Sequence, residues 1–327
     1  MFEFFDNLTN VSIQVLILFI LIAVGFVCGK SGIISNNAAK SISDFCLKFT
    51  TPCVIIRSFL NSKLNPLASV SGLLWGLGAA FICHLIAIAF VTFVFRDKNL
   101  HRRALFRASS SMCNSGFMGL PLQAALLGPI GEFYGATYVV VMTFFLWTYA
   151  FIVMSSGKEK YSIKKAIINP GVISILIGLP LFLFLPDNLV ADTNGLFYKV
   201  VYNSVNHIAN CNTPLPMIIV GFYLSQSNML IALKDRRSIL SVFSKLLFIP
   251  LICVGVLYLL IQIGLPMNSM VYRSTIISVS TPIAVAVTMF ASKFDGETTL
   301  GANMASVSTL LSIITMPIII AFAMTLL

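Results

Sequence analysis

Residues 114–121 read Asn114-Ser-Gly-Phe-Met-Gly-Leu-Pro121 and interrupt an apolar segment that runs from about residue 105 to 127. Two glycines and a proline this close together predict a break in a helix. The flanking residues are apolar enough to lie in a bilayer, where backbone groups freed by a break cannot face lipid and must be satisfied by protein or water. The stretch therefore predicts a transmembrane helix that is broken at a functional position.

Apolar segments of similar length fill the rest of the chain. Hydrophobic residues make up 58% of its 327 residues and charged residues only 10%, where a soluble domain has roughly 25%. The segments long enough to cross about 30 Å of hydrocarbon are predicted at 11–29, 38–60, 68–95, 105–127, 133–154, 169–185, 197–224, 239–263, 272–291 and 303–325. The composition predicts an all-α integral membrane protein with ten transmembrane helices.

The formal net charge of +10 comes from basic residues between these spans. No basic patch is interleaved with aromatic residues, which argues against a nucleic-acid partner. The basic residues fall in alternate loops, at 30–40, 96–107, 158–165 and 234–237 and at Lys293, and such loops are cytoplasmic. The pattern predicts a multi-pass protein of the plasma membrane with both termini outside.

Neither a cofactor nor a metal site is predicted. The seven cysteines contain no C-x-x-C pair, so a structural zinc site or redox centre has no support in their spacing. The residues before the first span carry no basic residue, unlike a cleaved secretory signal. The first span is therefore expected to remain in the mature protein.

Two pairs of spans resemble one another. The second and seventh spans share a Thr-Pro, at Thr51 and Thr213, and the fourth and ninth spans align Asn114 with Ser280. A repeat of five spans would place its second copy upside down in the membrane. This interpretation predicts a first repeat at 1–154, a cytoplasmic loop at 155–168 and a second repeat at 169–327, although apolar helices also resemble one another by chance.

The paired breaks are the candidate transport site. Gly116, Gly119 and Pro121 in the fourth span and Pro282 in the ninth are the predicted helix breaks. Matched breaks in two halves point to a substrate site near the midplane, while a packing kink is the alternative. Because each break frees the N-terminus of a half-helix, an anionic substrate is favoured. The expected substrate-binding residues here are Asn114, Ser115, Gly116, Ser280 and Thr281.

The second and seventh spans add polar side chains to this prediction. Lys48, four residues after Asp44, and Thr51 could meet a substrate carboxylate, although Lys48 could equally pair with Asp44. Arg57 is expected to be an interfacial anchor. In the seventh span Asn210 and Thr213 are the candidate substrate-binding residues.

Ion coupling is predicted at three further side chains. His84 and His207 could carry a proton, and Asn206 lies on the same polar stripe as His207. A structural hydrogen-bonding role is the alternative for each of them. Coupling to Na⁺ bound near the two helix breaks by amide, hydroxyl and carbonyl oxygens stays equally open.

At these residues the chain resembles the auxin efflux carrier family, which contains plant PIN-type carriers and bacterial malate or malonate permeases. The resemblance covers nearly the whole chain. It rests on Lys30-Ser-Gly-Ile-Ile-Ser, Thr51-Pro52, Asn114-Ser-Gly-Phe-Met-Gly-Leu-Pro-Leu122, Ser280-Thr-Pro-Ile and Ser308-Thr-Leu-Leu-Ser-Ile-Ile-Thr-Met-Pro317. The stretch that begins at Asn114 is the most specific of these.

The resemblance implies two inverted five-helix repeats, as in sodium–proton antiporters and bile acid carriers, with helices 4 and 9 crossing at their breaks. Helices 1, 2, 6 and 7 would form a scaffold, and helices 3–5 and 8–10 a mobile transport domain. A substrate carboxylate would lie beside Asn114, near Lys48 and Thr51. The short loop between the halves differs from the long loop of PIN-type carriers and favours a prokaryotic organic-anion carrier.

The sequence thus predicts a secondary transporter that moves malate, malonate or another small carboxylate, auxin-like molecules included, by alternating access coupled to H⁺ or Na⁺. A sodium-coupled bile-acid-type carrier of the same fold is the alternative, and a homodimer is left open. An intramembrane enzyme lacks an H-E-x-x-H or aspartate-pair motif, and a sensor lacks an output domain. No enzymatic activity is expected.

Overall fold

The computed structural model describes residues 2–155, 169–294 and 297–327, and within them every regular element is helical. The predicted connecting loop lies outside the described residues from position 156 to 168. The helices of the first half are α1 (Phe2–Lys30), α2 (Asn36–Phe45), α3 (Thr51–Ser62), α4 (Val70–Val94), α5 (Leu100–Ser111), α6 (Leu120–Phe145) and α7 (Phe151–Ser155).

The second half contains mostly shorter helices and ends in one of 27 residues. They are α8 (Pro170–Phe184), α9 (Asp187–Ala191), α10 (Asn203–Asn210), α11 (Pro214–Gln226), α12 (Met229–Lys234), α13 (Arg236–Phe243), α14 (Ile249–Gln262), α15 (Ser269–Ser280), α16 (Val285–Lys293) and α17 (Thr298–Met324). Side chains at the N-cap begin several helices: Ser69 caps α4, Asn99 caps α5 and Asn268 caps α15. Each of these oxygens accepts a backbone N–H that the first helical turn leaves free.

Five helical stretches are long and apolar enough to cross a membrane within the described residues: Phe2–Lys30, Val70–Val94, Ser115–Ser155, Arg236–Gln262 and Thr298–Met324. The apolar helix Pro170–Phe184 is shorter. For the described residues, the prediction of an all-helical protein with apolar helices of membrane-crossing length is confirmed. The remaining predicted spans are made of shorter or interrupted helices.

Wide π-helical turns precede three prolines. The turns Cys46–Thr50, Ser115–Gly119 and Ser244–Phe248 are followed by Pro52, Pro121 and Pro250 respectively, each in the first turn of the next α-helix. Proline has no N–H and its ring clashes with the carbonyl four residues earlier. A π turn admits an extra residue at that point, so the helix continues past the proline.

The stretch Ser115–Ser155 is a hairpin and not one straight helix. Gly128 has φ 66° and ψ −159°, a conformation that glycine adopts readily. Beyond it, Gly135 lies directly against the side chain of Gln123, which shows that the chain has turned back on itself. The predicted spans at 105–127 and 133–154 are therefore separated by a tight glycine turn.

Glycines set the closest helix contact. Gly25 of α1 faces the backbone of Ile218, and Gly221 of α11 faces the backbone of Ile22. Such small residues let two membrane helices approach at backbone distance. α1 and α11 consequently form a tightly packed pair, and α1 also packs on α17.

The other helices surround two interruptions of regular helix. The first follows α5 at residues 112–114, and the second follows α15 at residues 281–284. α4 packs on the second arm of the hairpin, where Gly72 faces Tyr134 and Gly76 faces Thr137. α15 packs on α6, and α3 packs on α8 and α10. The interruptions after α5 and α15 are thereby held in the interior of the protein.

Candidate functional site

Two interrupted helices cross and bind each other through their backbones. After α5 the chain is extended at Met112 and reaches a turn at Asn114; after α15 it is extended at Thr281. The Asn114 N–H donates to the Pro282 carbonyl at 2.9 Å, and the Ala284 N–H donates to the Met112 carbonyl at 3.3 Å. These bonds satisfy backbone groups that the breaks release at membrane depth.

The first interruption lies earlier than expected. It occupies the residues just before Ser115, whereas Gly116 and Gly119 lie in the π turn and Pro121 lies in the first turn of α6. Proline fits there because the first N–H groups of a helix have no intrahelical partner. Pro282, by contrast, lies within the second interruption, between α15 and α16.

The crossing leaves two buried polar groups without partners. Asn114 and Ser115 are 6% and 0% exposed, and neither Asn114 Nδ2 nor Ser115 Oγ has a hydrogen-bond partner among the described residues. Asn114 also makes no side-chain cap for the helix that follows it. Buried polar groups are usually paired, so these two unpaired groups mark the crossing as a candidate binding position.

The two predicted residues on the other side of the crossing are hydrogen-bonded to their own helix. Ser280 Oγ donates to the Ile276 carbonyl and Thr281 Oγ1 to the Ser278 carbonyl, both at 2.7 Å. Ser308 of α17 supports the same interruption, since its hydroxyl accepts the Ile283 N–H at 3.2 Å. Their hydroxyl oxygens keep acceptor capacity, but their protons are already used.

Asn212 connects three parts of the protein, and sequence reasoning missed it. Its Oδ1 accepts hydrogen bonds from Thr50 at 2.8 Å and Thr51 at 2.9 Å, and its Nδ2 donates to the Gly116 carbonyl at 3.2 Å. The alignment of Thr51 with Thr213 also matches Thr50 with Asn212. That match was the signal that could have identified this residue.

Arg57 and Glu132 form a buried ion pair next to these amides. Arg57 Nη2 lies 2.6 Å from Glu132 Oε1, with the two side chains 14% and 5% exposed. Arg57 Nη1 donates to Asn206 Oδ1 at 3.1 Å and to Asn210 Oδ1 at 2.7 Å. The expectation that Arg57 is an interfacial anchor was wrong, because the glycine turn at Gly128 folds Glu132 into the protein.

A small cavity lies between the ion pair and the first turn of α6. Its volume is about 90 Å³. It is lined by Val54, Arg57, Leu120, Pro121, Ala124, Glu132, Ala209, Asn210, Asn212 and Thr213. The predicted residues Asn210 and Thr213 both line this cavity. Thr51 does not line it but donates a hydrogen bond to Asn212, which does.

Lys48, His84 and His207 lie elsewhere. The Lys48 side chain is 60% exposed and pairs with Asp44 at 3.2 Å, so it does not line the cavity. His84 is buried, with Nδ1 2.8 Å from the Ala80 carbonyl and its ring stacked on Phe145. His207 is exposed. Of the predicted coupling residues, Asn206 alone contacts the Arg57 network.

Comparison with known proteins places the chain in a family. Residues 10–320 match the family described as membrane transport protein. The chain is also similar to an uncharacterized transporter of Methanothermobacter thermautotrophicus, with 21% identity over 313 residues that cover 93% of this chain and 95% of the archaeal protein. The chain therefore belongs to the membrane transport protein family, the auxin efflux carrier family that its sequence motifs resemble.

Proposed function

We propose that this transporter is a secondary carrier of a small organic anion, such as malate, malonate or another small carboxylate, and works by alternating access. The observation that carries the proposal is the pair of unpartnered donors, Asn114 Nδ2 and Ser115 Oγ, buried at the start of a half-helix. Free donors and the positive end of a helix dipole both favour an anion.

The charges around the cavity support the same substrate class. Arg57 lines the cavity and Glu132 holds its guanidinium in place. Arginine binds carboxylates in a fixed geometry. We therefore propose Arg57, which lines the cavity, rather than the exposed Lys48, as the cationic partner of the substrate carboxylate.

The size of the cavity favours a small carboxylate over a bile acid. Its volume of about 90 Å³ lies below the roughly 300–1,000 Å³ of pockets for drug-sized ligands. A steroid carboxylate would need a much larger opening. The proposal accordingly prefers small carboxylates to the bile-acid-type alternative.

The proposed architecture is ten spans in two inverted repeats, with both termini outside the plasma membrane. α5 and α15 support it, because each has 12 residues and ends at one of the two paired interruptions. Under the proposal α1, α3, α8 and α11 belong to the scaffold, and the hairpin with α15 belongs to the moving part. Asn212 and the Arg57–Glu132 pair then bridge these two parts.

The test is uptake of labelled malate, malonate and indole-3-acetate into proteoliposomes, with proton and sodium gradients imposed separately. Saturable uptake of one of these anions is expected, driven by one gradient. Empty liposomes and liposomes that contain heat-denatured protein are the controls. Binding of an anion with no flux, in folded protein, would contradict the carrier and indicate a sensor.

A further inference from the structure

Lys245 is a charged side chain in the interior that the proposed substrate site does not use. It lies in the π turn Ser244–Phe248 between α13 and α14 and is 1% exposed. Its Nζ donates to the Val279 carbonyl at 3.0 Å. It takes part in none of the ion pairs found in the described part of the chain.

The acceptor of this hydrogen bond lies at the end of a half-helix. Val279 is in the last turn of α15, one residue before the helix ends at Ser280 and the crossing begins. The last carbonyls of a helix have no intrahelical partner and carry partial negative charge. A cation beside them is favourable, and in carriers with broken helices such ends bind the coupling Na⁺ or H⁺.

The described groups around Lys245 include no carboxylate. Cys83 and His84 approach from α4, Cys113 from the crossing and Cys253 from α14, the same helical segment as Lys245. Tyr138 of α6 adjoins the same cysteines. An unpaired charge in the interior is costly. The helix end is therefore the group that stabilises the ammonium.

We propose that Lys245 is the resident cation of the crossing: its ammonium occupies the place at the C-terminal end of α15 where a sodium-coupled carrier would hold a diffusible cation. No Na⁺ is then needed at the crossing. For transport, the inference rests on the proposed carrier function and means that substrate uptake proceeds without Na⁺. The role of Lys245 in stability can be tested without any substrate.

The first experiment uses the unmodified protein. Its thermal unfolding is measured in detergent with NaCl, KCl or choline chloride at one ionic strength. The unfolding temperature should agree within about 1 °C among the three salts, since a ligand raises it only where a site binds that ligand. A saturable increase of about 3 °C or more with Na⁺ alone would overturn the proposal.

The second experiment removes the charge while nearly keeping the volume. Lys245→Met should unfold at a lower temperature, and ammonium or Na⁺ should raise that temperature towards the value of the unmodified protein. Leu246→Ala, at a neighbouring buried position in the same turn, is the matched control and should be destabilised without responding to cations. A Lys245→Met protein no more sensitive to cations than this control would refute the resident-cation role.

Lys245→Arg keeps the experiment decisive if the methionine variant does not fold. It retains a cation and should keep the unfolding temperature independent of Na⁺. A saturable sodium response in this variant, which still has a cation at position 245, would overturn the proposal. None of these unfolding measurements involves substrate. They can therefore refute the role of Lys245 while anion uptake is observed, and they can support it while no uptake is observed.

Discussion

Thr50 and Asn212 lie 162 positions apart in the chain, yet the Thr50 hydroxyl donates a hydrogen bond of 2.8 Å to Asn212 Oδ1. The same amide donates to the Gly116 carbonyl beside the crossing. One buried side chain thus ties the turn before Pro52 and the turn before Pro214 to the half-helix that is proposed to hold substrate. Removal of the Asn212 side chain should therefore affect both turns and the half-helix.

Asn212→Ala should lower the initial rate of anion uptake by at least about tenfold, because three hydrogen bonds are lost, to the Gly116 carbonyl and from the Thr50 and Thr51 hydroxyls. Each lost hydrogen bond is worth about 1 kcal/mol in a membrane protein. Asn203→Ala is the control, since the Asn203 amide donates to Lys199 one turn earlier. If Thr50→Val adds its full effect to Asn212→Ala, the two residues do not act as a unit.

Asn114→Ala should abolish flux and leave the unfolding temperature within about 2 °C of the starting protein. The reason is that Asn114 Nδ2 has no partner in the described structure whose loss would destabilise the fold. Uptake and thermal unfolding of the same preparation provide the measurement. Normal transport kinetics in this variant would remove Asn114 from the site.

Arg57→Met and Glu132→Leu should each destabilise the protein by about 3 kcal/mol, because either change leaves an uncompensated buried charge. The double variant should be less destabilised than either single one. Asp44→Asn is the control: its exposed pair with Lys48 should contribute no more than about 0.5 kcal/mol. A double variant worse than both single variants would show that the pair stabilises through packing and not charge.

Gly221→Leu should prevent assembly of the folded protein, because a side chain there would enter the backbone of Ile22 and Phe26 on α1. Backbone atoms cannot move aside as a flexible side chain can. Gly255→Ala in α14 is the matched control, since nothing lies within 4 Å of the added carbon. It should be neutral or stabilising by up to about 1 kcal/mol, and size-exclusion chromatography will distinguish the two outcomes.

Acid should weaken one ion pair outside the spans, between Asp235 and Arg102 at 2.7 Å. Burial raises the pKa of Asp235, but hydrogen bonds from Ser238 and the Arg102 charge outweigh it and hold the pKa below its ordinary value. A lowered folded pKa stabilises the protein above the unfolded value, about 3.9, and this stabilisation is lost as pH falls through the folded pKa. The unfolding temperatures of Asp235→Asn and the starting protein should differ at pH 5–7, begin to converge near pH 4 and agree once the pH is below the lowered folded pKa of Asp235.

The helical class and the two interruptions could be predicted because they depend on local chemistry, whereas their crossing was implied by the family resemblance. Long apolar runs must form helices in a bilayer, and the polar stretches near Asn114 and Ser280 mark where two of them are interrupted. The exact position of the first interruption could not be predicted. Pro121 was expected to be part of the break, whereas a π turn ahead of it, as ahead of Pro52 and Pro250, lets the helix continue.

The ion pair and Asn212 were missed because they depend on tertiary structure. Glu132 stands between two predicted spans and therefore looked like part of an outer loop, but the turn at Gly128 brings it beside Arg57. Lys48 was selected because of its charge and its position near the middle of a span. The structure gives it a local partner instead, which was the alternative reading of the same spacing.

The π turns also set the rotational phase of the helices that contain them. An extra residue in one turn rotates everything that follows by roughly 100° about the helix axis, since an α-helix advances 3.6 residues per turn. After the turn Cys46–Thr50, this rotation helps to decide which face of the helix carries Thr51 and Arg57. Deleting one residue from such a turn would rotate the downstream polar face away from the cavity without changing any functional side chain.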